Sequence, residues 1–170
     1  MSHQAQLDFV AIVRAMYPDC FVGKKVLEIG SLNINGSIRP FFEQCTYVGV
    51  DLGEGRDVDV VGKGEELTYG DDSFDVVASC ECFEHNPEWV ATLNNMIRMC
   101  SGLVFFSCAT TGRPEHGTPR TSPHDAPFCG EYYRNLTQED VRQAVDLSVF
   151  TDYQFLTNDT SHDLYFWGIK

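Results

Sequence analysis

The chain of 170 residues has the length of one domain and can bury a core without disulfide staples. Hydrophobic residues make up 43% and charged residues 22%, ordinary usage that excludes a disordered or fibrous chain. Twelve Lys and Arg against 25 Asp and Glu leave a net charge of −13, and the basic residues are scattered, so a nucleic-acid partner is disfavoured. Residues 5–17 read as a helix, with Phe9, Ile12, Val13 and Met16 on one apolar face and Pro18 as its stop. The run KVLEIG at 25–30 is apolar and ends in glycine, as a buried strand does. The turn Asn35-Gly36-Ser37 then opens a helix to about residue 44, with Ser37 as its N-cap. TYVGVD at 46–51 is a second strand and 57–61 a short third, and the link 52–56 is too short for a full crossover helix. FDVVASC at 74–80 is a fourth strand. A helix begins near Pro87 with Trp89, Leu93, Met96, Ile97 and Cys100 on one face. LVFFSC at 103–108 is a fifth strand. Residues 109–135, with four prolines and three glycines, read as a long functional loop. Thr137 caps a further helix whose first turn holds Glu139 and Asp140. Strands at 153–156 and 164–169 flank a polar turn and close the chain as a hairpin.

This alternation predicts an α/β fold: a three-layer α/β/α sandwich around a Rossmann-like seven-stranded sheet, parallel except for the last strand. The whole chain, 1–170, is expected to be one domain, with an N-terminal helix within 1–20 and a substrate loop at 109–135. Ligands of such sheets bind beyond the carboxyl ends of the strands, at the point where strand order reverses. The loops after residues 30, 51, 61, 80 and 108 therefore hold the candidate site.

Two of these loops carry a cofactor signature. Gly30 lets the chain turn sharply after the first strand and come close to a ligand, and the helix after it points free N–H groups at the same spot. Asp51 ends the second strand 21 residues later, where a carboxylate can accept hydrogen bonds from the two hydroxyls of a ribose. A dinucleotide would need G-x-G-x-x-G to approach its pyrophosphate, and bulky Leu32 and Ile34 stand where small residues are required. A cofactor with a ribose but no phosphate fits better, and S-adenosylmethionine (SAM) is of that kind. An NAD(P)-linked oxidoreductase is the rival that this spacing weakens.

Here the residues resemble a family. Val26-Leu27-Glu28-Ile29-Gly30-Ser31 with Asn35-Gly36-Ser37-Ile38-Arg39-Pro40 resembles a variant first motif of class I SAM-dependent methyltransferases of the small type 11 kind. Tyr47-Val48-Gly49-Val50-Asp51 is similar to the ribose-binding motif, and Asp59-Val60-Val61-Gly62 with Glu65-Glu66-Leu67 to the segment around the adenine. The stretch from Asp72-Ser73-Phe74-Asp75 to Glu84-His85 resembles the fourth strand and its loop. His124 and Tyr132-Tyr133-Arg134-Asn135-Leu136-Thr137 resemble the family's segment beyond the fifth strand, so the likeness runs from Lys25 to about Gln143. The resemblance implies that Gly30 and Ser31 line the methionine part of SAM, that Glu28 organises the loop, and that Asp51 binds the ribose. It places Leu52 against the adenine, Gly64 and Glu65 at the adenine edge, and Ser79 and Cys80 beside the cofactor through main-chain groups. Two departures stand out. Lys63 replaces an acid and offers only donors, so a carbonyl must meet the adenine amino group. The usual Pro-Gly-Gly before the fifth strand is reduced to Ser101-Gly102.

The implied reaction is methyl transfer to an oxygen, nitrogen or carbon of a small-molecule acceptor, such as a sugar-like compound or another metabolite. His85 and His124 are the candidates for a base where the acceptor must lose a proton. His116, Arg120 and Arg134 also lie in the long loop, as substrate contacts or as structural partners. Cys80-x-Cys82-x-x-His85 matches no common zinc spacing, so no metal is expected. The seven cysteines, odd in number and unevenly spaced, read as reduced thiols of a cytoplasmic protein. No apolar run reaches the ~18 residues of a membrane span, and Arg14 interrupts the N-terminal stretch, which does not read as a signal peptide. Two further readings stand beside the enzyme: a non-catalytic SAM-binding module, and a homodimer scaffold built on exposed Tyr153, Phe155 and Trp167.

Overall fold

The computed structural model describes residues 3–170. Seven strands form one sheet in the order β3-β2-β1-β4-β5-β7-β6: β1 (Lys25–Ile29), β2 (Thr46–Asp51), β3 (Val60–Val61), β4 (Phe74–Cys80), β5 (Cys100–Ala109), β6 (Asp152–Asn158) and β7 (Asp163–Ile169). Neighbours from β3 to β5 pair in parallel, whereas β7 runs antiparallel to both β5 and β6. The expected exception of the last strand is therefore found. The inner strands β1, β4 and β5 are buried on both faces, which explains their mostly apolar sequences. Successive residues serve opposite layers: Val76 and Ala78 join one core and Val77 the other, as Leu103 and Phe105 alternate with Val104 and Phe106.

Helices α2 (Trp89–Met99) and α3 (Gln138–Ala144) cover one face. Thr137 opens α3 with a full capping box: its hydroxyl accepts from the Asp140 N–H while Asp140 accepts from the Thr137 N–H. Helix α1 (Gln4–Met16) covers the other face, with Phe9 stacked on Tyr165 at 4.4 Å between ring centres. The buried residues of α1 are Gln6, Phe9, Val10 and Val13, whereas Ile12 and Met16 are 48% and 46% exposed. The apolar face expected from 9, 12, 13 and 16 is thus rotated, because the polar Gln6 occupies an inward position.

Four other expectations need correction. No helix spans 37–44; a single 3₁₀ turn, Arg39–Phe41, stands there, with Ile38 rather than Ser37 at its cap. Pro40 cannot donate to a helical ladder, and the Arg39 side chain reaches out to the Asp57 carbonyl at 3.1 Å and to the Asp59 carboxylate. The third strand is confined to two residues, and Cys100 begins β5 rather than ending α2. Trp167 is 4% exposed, packed under α1 against Phe9; Tyr153 and Phe155 are half-buried against the core. These three side chains do not form the exposed aromatic surface expected of a dimer scaffold.

Candidate cofactor cavity

A cavity of about 450 Å³ opens at the carboxyl ends of the central strands, between β1 and β4, where the strand order reverses. Its wall draws on the turns after β1, β2, β3 and β4, on Gln6 of α1, and on residues 125–130 of the long loop. Of the nine expected cofactor residues, Glu28, Gly30, Ser31, Asp51, Leu52, Gly64, Glu65 and Cys80 line it. Ser79 does not: it is fully buried beneath the wall.

Gly30 has φ +83°, and a β-carbon there would lie 2.7 Å from Cβ of Cys82. Close approach does require this glycine, but the nearest neighbour is the chain's own Cys82. The N–H groups of Gly30 and Ser31 both donate to the Val50 carbonyl, at 2.9 and 3.1 Å, which pins the turn to β2. Ser31 is 3% exposed and its hydroxyl has no partner among the described residues, which leaves a buried polar atom in the cavity wall. Asp51 accepts from the Leu32 N–H at 2.9 Å on one oxygen and from the Leu52 N–H at 2.7 Å on the other. Each oxygen keeps a second lone pair for an incoming hydroxyl. Burial raises the Asp51 pKa, and the two backbone donors oppose that rise.

Glu28 lies at the buried end of β1, where desolvation lifts its pKa to about 7. The Tyr47 hydroxyl donates to it at 2.7 Å, and Arg39 stacks over the Tyr47 ring at 4.6 Å. Across the cavity the turn Gly64–Glu66 docks on α2: Asn95 donates to the Gly64 carbonyl at 2.7 Å and Thr92 to Glu65 at 3.0 Å. A β-carbon on Gly64 would meet Thr92 at 2.6 Å. Lys63 is bonded to Glu66 at 2.9 Å. Leu52 is 44% exposed at the rim.

Of the two candidate bases, His85 stands in the wall, where burial drops its pKa to about 3 and keeps the ring neutral. His124 is exposed on the long loop and outside the wall, whereas its neighbour Asp125 is part of it. The cover comes from 125–130, with the Phe128 ring lying so close to Gly53 that a β-carbon there would be 2.4 Å away. In the sequence only the length of the loop marked this cover. Arg120 is engaged by Glu115 at 2.8 Å and by Glu131, and Arg134 by Asp140, so both hold the loop together. Another anchor had no sequence signal. His3 lies 3.3 Å from Asp163 and 3.5 Å from Glu81, Arg113 donates to Asp163 at 2.8 Å, and α1 is thereby tied to the sheet beside the cavity.

The charges of the wall are one-sided. Glu28, Asp51, Glu65, Glu81, Glu88 and Asp125 face Lys63 as the one Lys or Arg among the described lining residues. Such a surface repels a pyrophosphate and favours a ligand carrying positive charge.

A family model described as a methyltransferase domain matches residues 36–105, from the turn after β1 to the middle of β5. No curated protein matches the chain in sequence. Among solved structures, the CurJ carbon methyltransferase superposes with a TM-score of 0.66 at 14% identity, over 96% of this chain and 53% of its own. The Burkholderia thailandensis 1,6-didemethyltoxoflavin-N1-methyltransferase, solved with its acceptor and S-adenosylhomocysteine (SAH), has a TM-score of 0.61 at 16% identity, over 100% of this chain and 92% of its own. The Haemonchus contortus phosphoethanolamine N-methyltransferase 2, with phosphomonomethylethanolamine and SAH, has a TM-score of 0.66 at 15% identity, over 96% and 52%. The chain thus spans about half the length of the first and third of these. The fold is the Rossmann-like fold of the class I SAM-dependent methyltransferases.

Proposed function

We propose, on the premise of that fold, that this chain transfers a methyl group from SAM to a small-molecule acceptor. The observation that carries the reading is the wall itself: an acid at the end of β2 with spare lone pairs, in a cavity that carries six carboxyls and one lysine. SAM supplies a methyl carbon already activated by its sulfonium. The residues present suit such a group. Asp51 would accept from the ribose hydroxyls, and the partnerless Ser31 hydroxyl would meet the amino-acid end. Glu28 and its neighbouring acids favour the positive charge. The Gly64–Glu66 turn is held rigidly enough on α2 to define the adenine edge.

What the protein then adds is alignment, since no strong leaving-group assistance is needed. Residues 125–130 would close over the bound ligand and exclude water, with Phe128 at the rim. His85 would orient the acceptor from the wall. Sugar-like or other metabolite acceptors are supported by the acidic surface and by a cover no larger than one loop and one helix. The three structural neighbours act on acceptors of different kinds, so the fold leaves that choice to the loop. The net charge of −13 supports a reading without nucleic acid. No described helix is long and apolar enough to cross a membrane. All seven thiols are unpaired, which supports a reducing, cytoplasmic setting.

Parallel calorimetric titrations with SAH and NAD test the cofactor, and a radiolabelled-methyl screen of a metabolite pool tests transfer. SAH binding with label incorporated into a small molecule is the expected outcome. NAD binding more tightly than SAH would overturn it, and SAH binding with no transfer to any pool would reduce the chain to a binding module.

A further inference from the structure

The turn after β4 and the long loop bring together three side chains that the cofactor reading does not use as a set. Glu84 is fully buried, and its carboxylate has no hydrogen-bond partner among the described residues beyond its own backbone N–H. His116 aims Nε2 at it from the loop, 3.9 Å from Oε1, too far for a hydrogen bond. The His85 ring stands at 90° to that of His116 with 5.2 Å between centres, and its Nδ1 is also buried without a partner. One nitrogen from each ring and one Glu84 oxygen lie within 4.8 Å of one another. Leaving a buried carboxyl and two ring nitrogens unsatisfied at one point is costly, unless something sits between them.

We propose that Glu84, His85 and His116 bind one divalent transition-metal ion of the zinc class beside the cavity wall. Two imidazoles and one carboxylate are a donor set for such ions, with a further coordination position left open. Bonds of ~2.0–2.2 Å place ligand atoms roughly 3.4 Å apart, so separations of up to 4.8 Å need contract by at most about 1.4 Å. The tautomer is already set. Nδ1 of His116 lies 3.1 Å from the Pro114 carbonyl, which only accepts, so Nδ1 carries the proton and Nε2 offers its lone pair toward Glu84. Tyr133 supports the same ring from 3.2 Å and donates to the same carbonyl at 3.1 Å. The Arg134 N–H donates to the Glu84 carbonyl at 2.9 Å, which ties the loop to the turn that carries Glu84 and His85. Gly117, at φ +64°, lets the loop approach His85 so closely that a β-carbon would lie 2.7 Å from the ring. A second cluster, His3, Glu81 and Asp163, is equally compact but includes an ion pair to Arg113, whereas no described Lys or Arg pairs with the Glu84 carboxylate. Because His85 also belongs to the cavity wall, the open position is available to an oxygen or nitrogen of a molecule bound there.

The full chain, stripped with a chelator and free of cofactor, is titrated with Zn²⁺ and Co²⁺, with Mg²⁺ as control. The expected result is one Zn²⁺ per chain and a Co²⁺ form with visible d–d bands but no near-ultraviolet thiolate band. Glu84→Gln and His116→Gln should each weaken Zn²⁺ by about tenfold or more, and Tyr133→Phe by less. Circular dichroism and SAH binding establish that each variant is folded. The wild-type Co²⁺ spectrum decides the matter even where a variant fails to fold. A thiolate band, absence of stoichiometric uptake, or unchanged affinity in folded Glu84 and His116 variants would overturn the site. Metal uptake is read without SAM, so its failure leaves the methyltransferase reading standing, and failure of SAH binding leaves the metal site standing.

Discussion

Raising the pH from about 6 to about 8 should tighten a cationic ligand in the cavity about tenfold, because Glu28 has a pKa near 7 and must ionise to attract it. Desolvation is the main cause of that value; Asp57 and Asp51 add to it, while the Tyr47 hydroxyl and the Arg39 guanidinium oppose it. Over this range the ionised fraction climbs from about one in eleven to about ten in eleven, a change of about 1.4 kcal/mol in binding. The unliganded protein should move the other way. Its Glu28 keeps a proton that the unfolded chain loses at 4.5, so the contribution to stability is complete below 4.5 and is lost as pH rises through about 7. Because the carboxyl is fully buried, that loss is about 3 kcal/mol. Calorimetry with SAM at three pH values, in buffers of different ionisation enthalpy, reads both the affinity and the proton released on binding. Denaturant titrations of the free protein read the stability. Glu28→Gln keeps an acceptor for Tyr47 and should flatten both slopes. A flat affinity profile in the wild type, or an equal slope in the variant, would rule out Glu28 as the titrating group.

Asp51→Asn should weaken SAH by about ten- to hundredfold, the worth of about 1.5–3 kcal/mol for hydrogen bonds to a charged group, measured by calorimetry on folded protein. Gly30→Ala should cost about 2–4 kcal/mol in a denaturant titration, from a positive φ and a clash with Cys82; Cys82→Gly in the same chain should recover the clash but not the strain. Phe128→Ala should raise the SAH dissociation constant severalfold while changing stability by less than about 1 kcal/mol, since the ring is half-exposed over Gly53 and belongs to no core. Equal SAH affinity in the variant would remove 125–130 from the role of cover.

Strands were legible because burial on both faces leaves mostly apolar runs at 25–30, 74–80 and 103–108, and the partly buried 46–51 keeps the same pattern. Helices read less well where a side chain has a second task. Gln6 faces inward because it belongs to the cavity wall, and a search for an apolar stripe therefore settles on Ile12 and Met16, which are exposed. Arg39 and Pro40 sit in a helix-like stretch, yet Arg39 is drawn to Asp57 and Asp59 and the ladder never forms. Gly30 and Asp51 were readable for a different reason: the sheet fixes the distance between the ends of adjacent parallel strands, so their spacing in sequence becomes proximity in space.

Contacts made by the long loop obey no such rule. Glu84 and His116 are 32 residues apart, Phe128 and Gly53 are 75 apart, and neither pair shares a period or a motif. In the proposed reading these contacts decide what the cavity accepts, with the strand ends holding the cofactor and the loop, together with His85, facing the second ligand. A surface segment can do this only if it is held in place, and residues 110–137 are held by side-chain and main-chain hydrogen bonds without helix or strand. Thr110 and Asn135 lock the two ends of the loop, Arg120 binds its middle, and the Tyr133 hydroxyl reaches Pro114. The loop is therefore a built wall rather than a slack tether, and three orphaned metal-type donors meet where it touches the turn after β4. Acceptor choice should change with substitutions in 110–124 and 131–137 while SAH affinity tracks Asp51, Glu28 and the cover at 125–130, and that separation distinguishes a two-ligand enzyme from a module that only stores its cofactor.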